Sequence, residues 1–224
     1  MAGTAADSNR DAILRGQFEL GQRLKESDLG RRYDVTNIVI REAFQKLEGD
    51  GLVMTTPYRG RTVFTITAHQ LPEMMLMRAS QEAQAAFWAA RLIDDTGRKS
   101  LRSALDRYQN IAALTYDELI RSELDFHRAI WTATGGDWLP HQIHQIVLPL
   151  LALPVQQMIA PFRTVEEESA RIRAMEVAGD DCAHGPVADA ILRGDEWEAR
   201  SRMIRHLLSG SPVLEQLRRD FFRV

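Results

Sequence analysis

GQRLKESDLGRRYDVTNIVIREAFQKLEGDGLVMTTPYRGRTV, residues 21–63, is the stretch that decides how this chain is read. Two short helical patterns are joined by a tight turn and followed by two β-prone runs. Ser27 is placed to cap the first helix, over 27–33, with its hydroxyl accepting from a free first-turn amide. Asp28 adds negative charge where a helix N-terminus favours it, and Leu29 and Tyr33 share a face. Asp34-Val35 makes the turn, and Thr36 caps the second helix, over 36–48, which ends at Gly49–Gly51. Ile40, Ala43, Phe44 and Leu47 recur at helical spacing and form its buried stripe. Asn37, Arg41 and Gln45 fall on a separate polar face that suits a major groove. Leu52-Val53-Met54 and Thr62-Val63-Phe64 flank the turn Pro57–Arg61. Arg59, Gly60 and Arg61 in that turn can clamp phosphate. The layout is that of a winged helix-turn-helix, and it makes double-stranded DNA the first partner to consider.

Charge gives this reading only local support. The whole chain of 224 residues carries a net charge of −3. Residues 1–65 hold 10 Lys and Arg against 9 Asp and Glu, so they are mildly basic and the rest is acidic. The arginines in the elements that would face a duplex, Arg31, Arg32, Arg41, Arg59 and Arg61, matter more than the sum. One cysteine, Cys182, excludes an intramolecular disulfide and points to a reducing compartment. There is no apolar run of membrane-spanning length, and Met1–Arg10 lacks a signal-peptide core. A cytoplasmic location with no membrane partner is the expectation.

Beyond Phe64 the sequence changes character. A linker over 67–71 separates a DNA-binding domain at 1–66 from a helical domain at 72–224. Pro72 suits a first helical turn, and Glu73–Ile93 continues it. Further helices are expected over Ala104–Leu114, Asp117–Ala133, Pro140–Gln157 (with kinks at Pro149 and Pro154), Val165–Leu192 with an interruption at Gly179-Asp180, Glu196–Leu208 and Val213–Phe222. Thr134–Asp137 and Gly194-Asp195 are breaks. The expected fold is mainly α, a winged helix-turn-helix followed by an all-α antiparallel bundle of six or seven helices. Trp88, Trp131, Trp138 and Trp197 read as packing residues, and Met74-Met75-Leu76-Met77 as core or dimer surface.

Polar residues on inward helical stripes need a reason. Ile120, Glu123, His127 and Ile130 share one face. His184 shares a stripe with Val187 and Ile191, and His206 with Met203. Two readings stay open for these four polar groups. Each can be satisfied by its own hydrogen bonds, or Glu123, His127, His184 and His206 can hold one ion. Neutral imidazoles with one carboxylate suit zinc, nickel, iron or manganese better than calcium. His141 and His144 are rival ligands with weaker inward patterning.

At these residues the chain resembles the GntR family of bacterial transcription regulators. Gly16, Gly21, Leu24, Glu26 and Leu29 match the first part of the family pattern. Val35, Arg41, Glu42, Ala43, Leu47, Gly51, Leu52 and Val53 match the second, and Arg59-Gly60 with Val63 the wing. Asn37 stands where the family has an arginine, which implies an altered operator preference or a lower affinity. The helical part is similar to the FadR-type C-terminal domain, or FCD. The matching pieces are RASQE at 78–82 with AAR at 89–91, ELDFHRAI at 123–130, HGPVADAILRGD at 184–195 and MIRHL at 203–207. The resemblance implies a metal held by Glu123 (usually aspartate in the family), His127, His184 and His206. It also implies a small organic acid bound beside the metal, with Arg78 facing the acid. The alternative role for Arg78 is a salt bridge to Glu82 at i,i+4.

The function implied is a homodimeric, DNA-binding transcription regulator, a repressor in the usual family manner, controlled by the acid. Two copies of helix 36–48 would read a pseudo-palindromic operator. It is not expected to be an enzyme, and no catalytic residue is assigned. A metal-dependent enzyme using the Glu/His set, and a pure metal sensor, are the alternatives.

Overall fold

The computed structural model describes residues 2–14, 17–67, 70–110, 116–152 and 183–209, with 170, 174 and 177–179. Among them are nine helices and one two-stranded sheet. In order these are α1 (Ala2–Leu14), α2 (Glu26–Tyr33), α3 (Asn37–Gly49), β1 (Val53–Thr56), β2 (Gly60–Val63), α4 (Gln70–Leu92), α5 (Asp95–Gln109), α6 (Tyr116–Thr132), α7 (Trp138–Ala152), α8 (Gly185–Arg193) and α9 (Glu196–Leu208). The chain divides into two compact units, Met1–Thr67 with His144–Pro161 and Ala68–Ile143 with Phe162–Val224. A mainly helical fold with a small wing agrees with the sequence expectation.

In the first unit, α2 and α3 form the helix-turn-helix. Asp34 closes α2 in the left-handed region (φ 52°), its N–H donating to the Gly30 carbonyl. Aspartate tolerates that conformation better than most residues. Gly30 is needed for a different reason: a Cβ there would lie 3.0 Å from the Val35 carbonyl oxygen and 3.1 Å from Asn37 Oδ1. Thr36 caps α3, its hydroxyl accepting from Val39 N. Ile40, Ala43, Phe44 and Leu47 are fully buried, as their spacing predicts. β1 and β2 pair antiparallel from Val53–Val63 to Thr56–Gly60.

Two local expectations are corrected here. Ser27 is not the cap of α2. The helix begins one residue earlier, with Lys25 at the cap position and no side-chain cap bond, and Ser27 is an exposed first-turn residue. Glu26 and Asp28 already supply the negative charge this end favours. α1 has no counterpart among the sequence expectations, and it packs on α3 through Ala6 against Ala43 and Val39. Arg10 ties α1 to the end of α3 by bonding Asp50 at 2.6 and 2.9 Å.

In the second unit, α4 is the central element. Ala79, Ala83, Ala86 and Ala90 are buried along one face, and small side chains let neighbouring helices approach closely. α9 lies against α4, with α6 and α8 also in contact with it, and α5 packs on α6. α5 starts at Asp95, not Ala104, because Asp94 is an N-cap accepting from Gly97 N at 2.7 Å. It ends at Gln109, and the rest of the expected helix, residues 111–114, lies outside the described residues. α7 begins two residues early and carries Pro149 inside it. Pro154, Cys182 and the expected helix 213–222 lie outside the described residues, as does much of the expected stretch 165–192, whose described part includes α8 from Gly185. Trp131 is buried core as expected, whereas Trp88, Trp138 and Trp197 are exposed. Of the methionine run, Met75 is buried and Met77 is exposed.

Replacing Asp94 by alanine removes a helix cap without touching the core. The expected loss is about 1 kcal/mol, seen as a fall of about 2–4 °C in Tm by calorimetry. An unchanged Tm would show that the cap contributes nothing to this unit.

Candidate metal centre and nucleic-acid face

The polar face expected from the sequence to meet DNA lies in the first unit. Asn37, Arg41 and Gln45 are exposed on α3, and Arg59 and Gly60 are exposed at the wing. Two of the arginines are engaged within the unit. Arg41 bonds both oxygens of Glu26, at 3.2 and 2.8 Å. Arg61 reaches Glu26 at 2.9 Å and Glu48 at 3.1 Å, and its guanidinium sits over the Phe44 ring, 5.2 Å from the centroid. Thr55 Oγ1 donates to the same Glu48 oxygen. The Glu26 carboxyl is held below its ordinary range by the hydrogen bond from Arg41 and by the charges of both arginines. The sequence gives no structural role for Glu26 or Glu48. Their signal is weak, because single acids on short helices read as simple solvated charges, whereas both are half-buried here.

The second unit brings Glu123, His127, His184 and His206 together from three elements. Glu123 and His127 stand one turn apart on α6, His184 is the residue before α8, and His206 lies in the last turn of α9. One ligand atom from each lies within 4.8 Å of the others. His127 Nε2 is 3.3 Å from His206 Nε2 and 3.2 Å from Glu123 Oε1, and His184 Nε2 is 3.0 Å from Glu123 Oε2. The three imidazoles are buried and Glu123 is half-buried. His184 is not within a helix, as its stripe suggested. Pro186 stands in the first turn of α8 just after it, where the missing N–H costs nothing. Tyr108 and Phe126 wall the His184 ring at 4.0 and 4.6 Å between centroids. The rival histidines His141 and His144 do not join this group.

Glu82 orients this set, and the sequence shows it only as a partner for Arg78. It is completely buried on α4. One oxygen accepts from Arg78 Nε at 2.6 Å; the other accepts from Trp131 Nε1 at 2.9 Å and pairs with His127 Nδ1. Burial alone would raise the Glu82 carboxyl, but the charges of His127 and Arg78 outweigh it and hold it at about 2. Burial would likewise lower the His127 imidazole and raise the Glu123 carboxyl. The ion pairing of Glu82 and Glu123 with the imidazoles wins, so His127 is raised and Glu123 lowered well below its ordinary value. Trp131, four residues after His127, reads only as packing in the sequence, and a tryptophan at i,i+4 from a ligand carries no signal of such a role.

The residues present fit a transition-metal ion. Three imidazoles and one carboxylate converge through ring nitrogens and an oxygen, which is the donor set of zinc and related ions. The Glu82–His127 contact uses Nδ1 and leaves Nε2 aimed at the centre, the arrangement a ligating histidine normally has. Arg78 Nη2 is buried with no hydrogen-bond partner and lies 3.9 Å from Glu123 Oε1, too far for a bond.

A winged helix with a polar recognition face, joined to a helical unit with a Glu/His pocket, defines a class of DNA-binding regulators. The chain matches the family described as bacterial regulatory proteins, gntR family, over residues 2–63, and the FCD domain over residues 73–209. It belongs to the GntR family of DNA-binding transcription regulators, with an FCD domain. Similar proteins include the HTH-type transcriptional repressor GlaR of Escherichia coli (strain K12), 25% identical over 92% of both chains. Another is the uncharacterized HTH-type transcriptional regulator BphR of Paraburkholderia xenovorans (strain LB400), 27% identical over 76% of this chain and 74% of that one. Among solved structures, E. coli McbR/YncC superposes with a TM-score of 0.74 at 18% identity, covering 96% of this chain and 97% of the other. That likeness concerns the fold. No helix among the described residues is long and apolar enough to cross a membrane.

Glu82 gives a pH-dependent prediction. Its folded value is depressed, so its stabilisation is present above the ordinary 4.5 and is lost as pH falls toward about 2. Glu82→Gln is expected to cost about 3 kcal/mol at pH 7. Urea titrations of both proteins should show that difference shrinking below pH 4.5. A difference that stays constant with pH would contradict the ionised, ion-paired Glu82.

Proposed function

We propose that this chain is a repressor-type regulator working as a homodimer. Its operator affinity is set by a small organic acid bound next to a divalent transition metal. The DNA-binding part, residues 1–66, would use Thr36, Asn37, Arg41, Arg59 and Gly60 on the duplex, with Ser27 near the backbone; Arg61, expected on the duplex as well, is taken up within the unit by Glu26 and Glu48. The domain 72–224, after the linker 67–71 whose last two residues already belong to α4, would hold the metal through Glu123, His127, His184 and His206. The name of GlaR, a repressor, supports the sign of regulation.

The observation that carries this reading is the convergence of four donors within 4.8 Å, three of them buried, around a ring already oriented by Glu82. When bound, zinc, nickel, iron or manganese would supply Lewis acidity to anchor an acidic effector. Arg78 would receive the same acid. Its Nε is fixed on Glu82, while its buried Nη2 has no hydrogen-bond partner. A buried donor in that state calls for an acceptor, and a guanidinium suits a carboxylate. A regulatory acid must bind the DNA-competent and incompetent arrangements with different strength, since equal affinity shifts nothing.

A panel of small organic acids, tested by thermal shift on metal-loaded protein, should contain at least one that raises Tm. With that acid, affinity for a duplex selected by the wild type from a random pool should change by about tenfold, a coupling of about 1.4 kcal/mol. Arg78→Ala should abolish the acid's effect on Tm and on DNA affinity. An acid response that survives in Arg78→Ala removes that residue from the effector site. DNA affinity that follows metal alone would favour a metal sensor.

A further inference from the structure

The wing carries two unassigned groups whose condition the fold does not explain. Tyr58 is fully exposed, yet its backbone is left-handed, at φ 63°. A bulky residue there is strained, and an exposed ring recovers none of that through packing. Glycine would take the same turn without strain. The turn itself is ordinary, closed by Arg59 N donating to the Thr56 carbonyl at 3.2 Å.

Arg23 is the second group. Leu24 N donates to the Arg61 carbonyl and Val63 N to the Gln22 carbonyl, both at 2.9 Å, so residues 22–24 lie as a short extra strand along β2. Arg23 bridges to Thr62 across this ladder. Its guanidinium reaches the wing turn, with Nη2 3.9 Å from the place a Cβ on Gly60 would occupy. It therefore arrives at the residue that follows Arg59.

The other arginines of the described unit are engaged. Arg41 and Arg61 share Glu26, and Arg61 also takes Glu48. Arg31 pairs with Asp28 and Arg10 with Asp7 and Asp50. Arg32 bonds Gln17 and lies over Phe18 and Tyr33. Arg23 and Arg59 are exposed and have no ion pair or side-chain hydrogen bond among the described residues. Two uncompensated guanidiniums at one turn repel each other, and an anion on the partner relieves that repulsion.

We propose that Arg23 and Tyr58 complete the wing's grip on DNA, with Arg23 and Arg59 on backbone phosphates and the Tyr58 ring against the adjoining minor-groove wall. Arg61, with Glu26 and Glu48, acts as the strut that holds the wing against α3. The proposal rests on the DNA-binding role and adds residues to it. It also explains the strained tyrosine: the conformation aims an amphipathic ring, with a hydroxyl at its tip, away from the protein.

The test uses full-length protein and a duplex selected by the wild type from a random pool, with affinity measured by fluorescence anisotropy across a salt series. Arg23→Ala is expected to weaken binding and to flatten the log–log salt slope by about 0.9 for each phosphate that is no longer neutralised. Arg102→Ala, which removes an exposed charge on α5, should leave the slope unchanged. Tyr58→Gly should weaken binding about tenfold while its Tm stays equal to the wild type or rises, because the strain is gone. That combination separates a contact residue from a structural one. If the selected duplex is bound equally well by wild type, Arg23→Ala and Tyr58→Gly, the proposal fails while the DNA-binding role stands. If the wild type selects no duplex, both fail together.

Discussion

A buried carboxylate can exist in a helical core only if every charge it faces is arranged around it, and Glu82 is that carboxylate here. It sits with no exposure on α4 and joins Arg78 of its own helix to His127 and Trp131 of α6. Removing any partner leaves charge or a hydrogen-bonding group stranded in a medium that solvates it poorly. The same constraint fixes which nitrogen of His127 is used. With Nδ1 turned to Glu82, Nε2 points to the space shared with Glu123, His184 and His206. Packing and chemistry are therefore one problem: the alanine face of α4 brings the helices close, and the polar groups buried by that approach must satisfy one another.

The winged unit is organised by a second, shallower network. Glu26 of α2 takes Arg41 of α3 and Arg61 of β2, and Glu48 of α3 takes Arg61 and Thr55 of β1. These bonds tie both helices and both strands to each other. Exposed ion pairs add little individually, but here they determine which arginines are spent within the unit and which face outward. Charge counting along a sequence cannot make that distinction, since Arg23, Arg59 and Arg61 look alike until their partners are known.

What can be read from the sequence follows physical range. α3, α6 and α9 are legible because their apolar residues recur at helical spacing over several turns. Glu123 and His127 are legible as a pair because they are neighbours on one helix, whereas His184 and His206 join them as one set only through the family resemblance. α1 is hidden because its apolar signal is weak and its partner, the back of α3, is distant in sequence. The start of α5 is hidden because a short cap, Asp94 to Gly97 N, lies in a stretch of polar residues. The start of α2 is displaced by one residue because the extended backbone at Lys25, not the Ser27 hydroxyl, sets it. The supporting roles of Glu82 and Trp131 depend on contacts between α4 and α6 and have no local signature.

The central claim is that the Glu/His set is a metal site by which the regulator is controlled. Metal content of tag-free protein, reloaded and then freed of loosely held ions, tests it most directly when wild type is set beside His127→Ala with His184→Ala. The account predicts about one equivalent of a transition metal per chain in the wild type and none retained by the double variant. A wild type that holds no metal after reloading would contradict it, and the four side chains would then form a hydrogen-bonded polar pocket around Glu82.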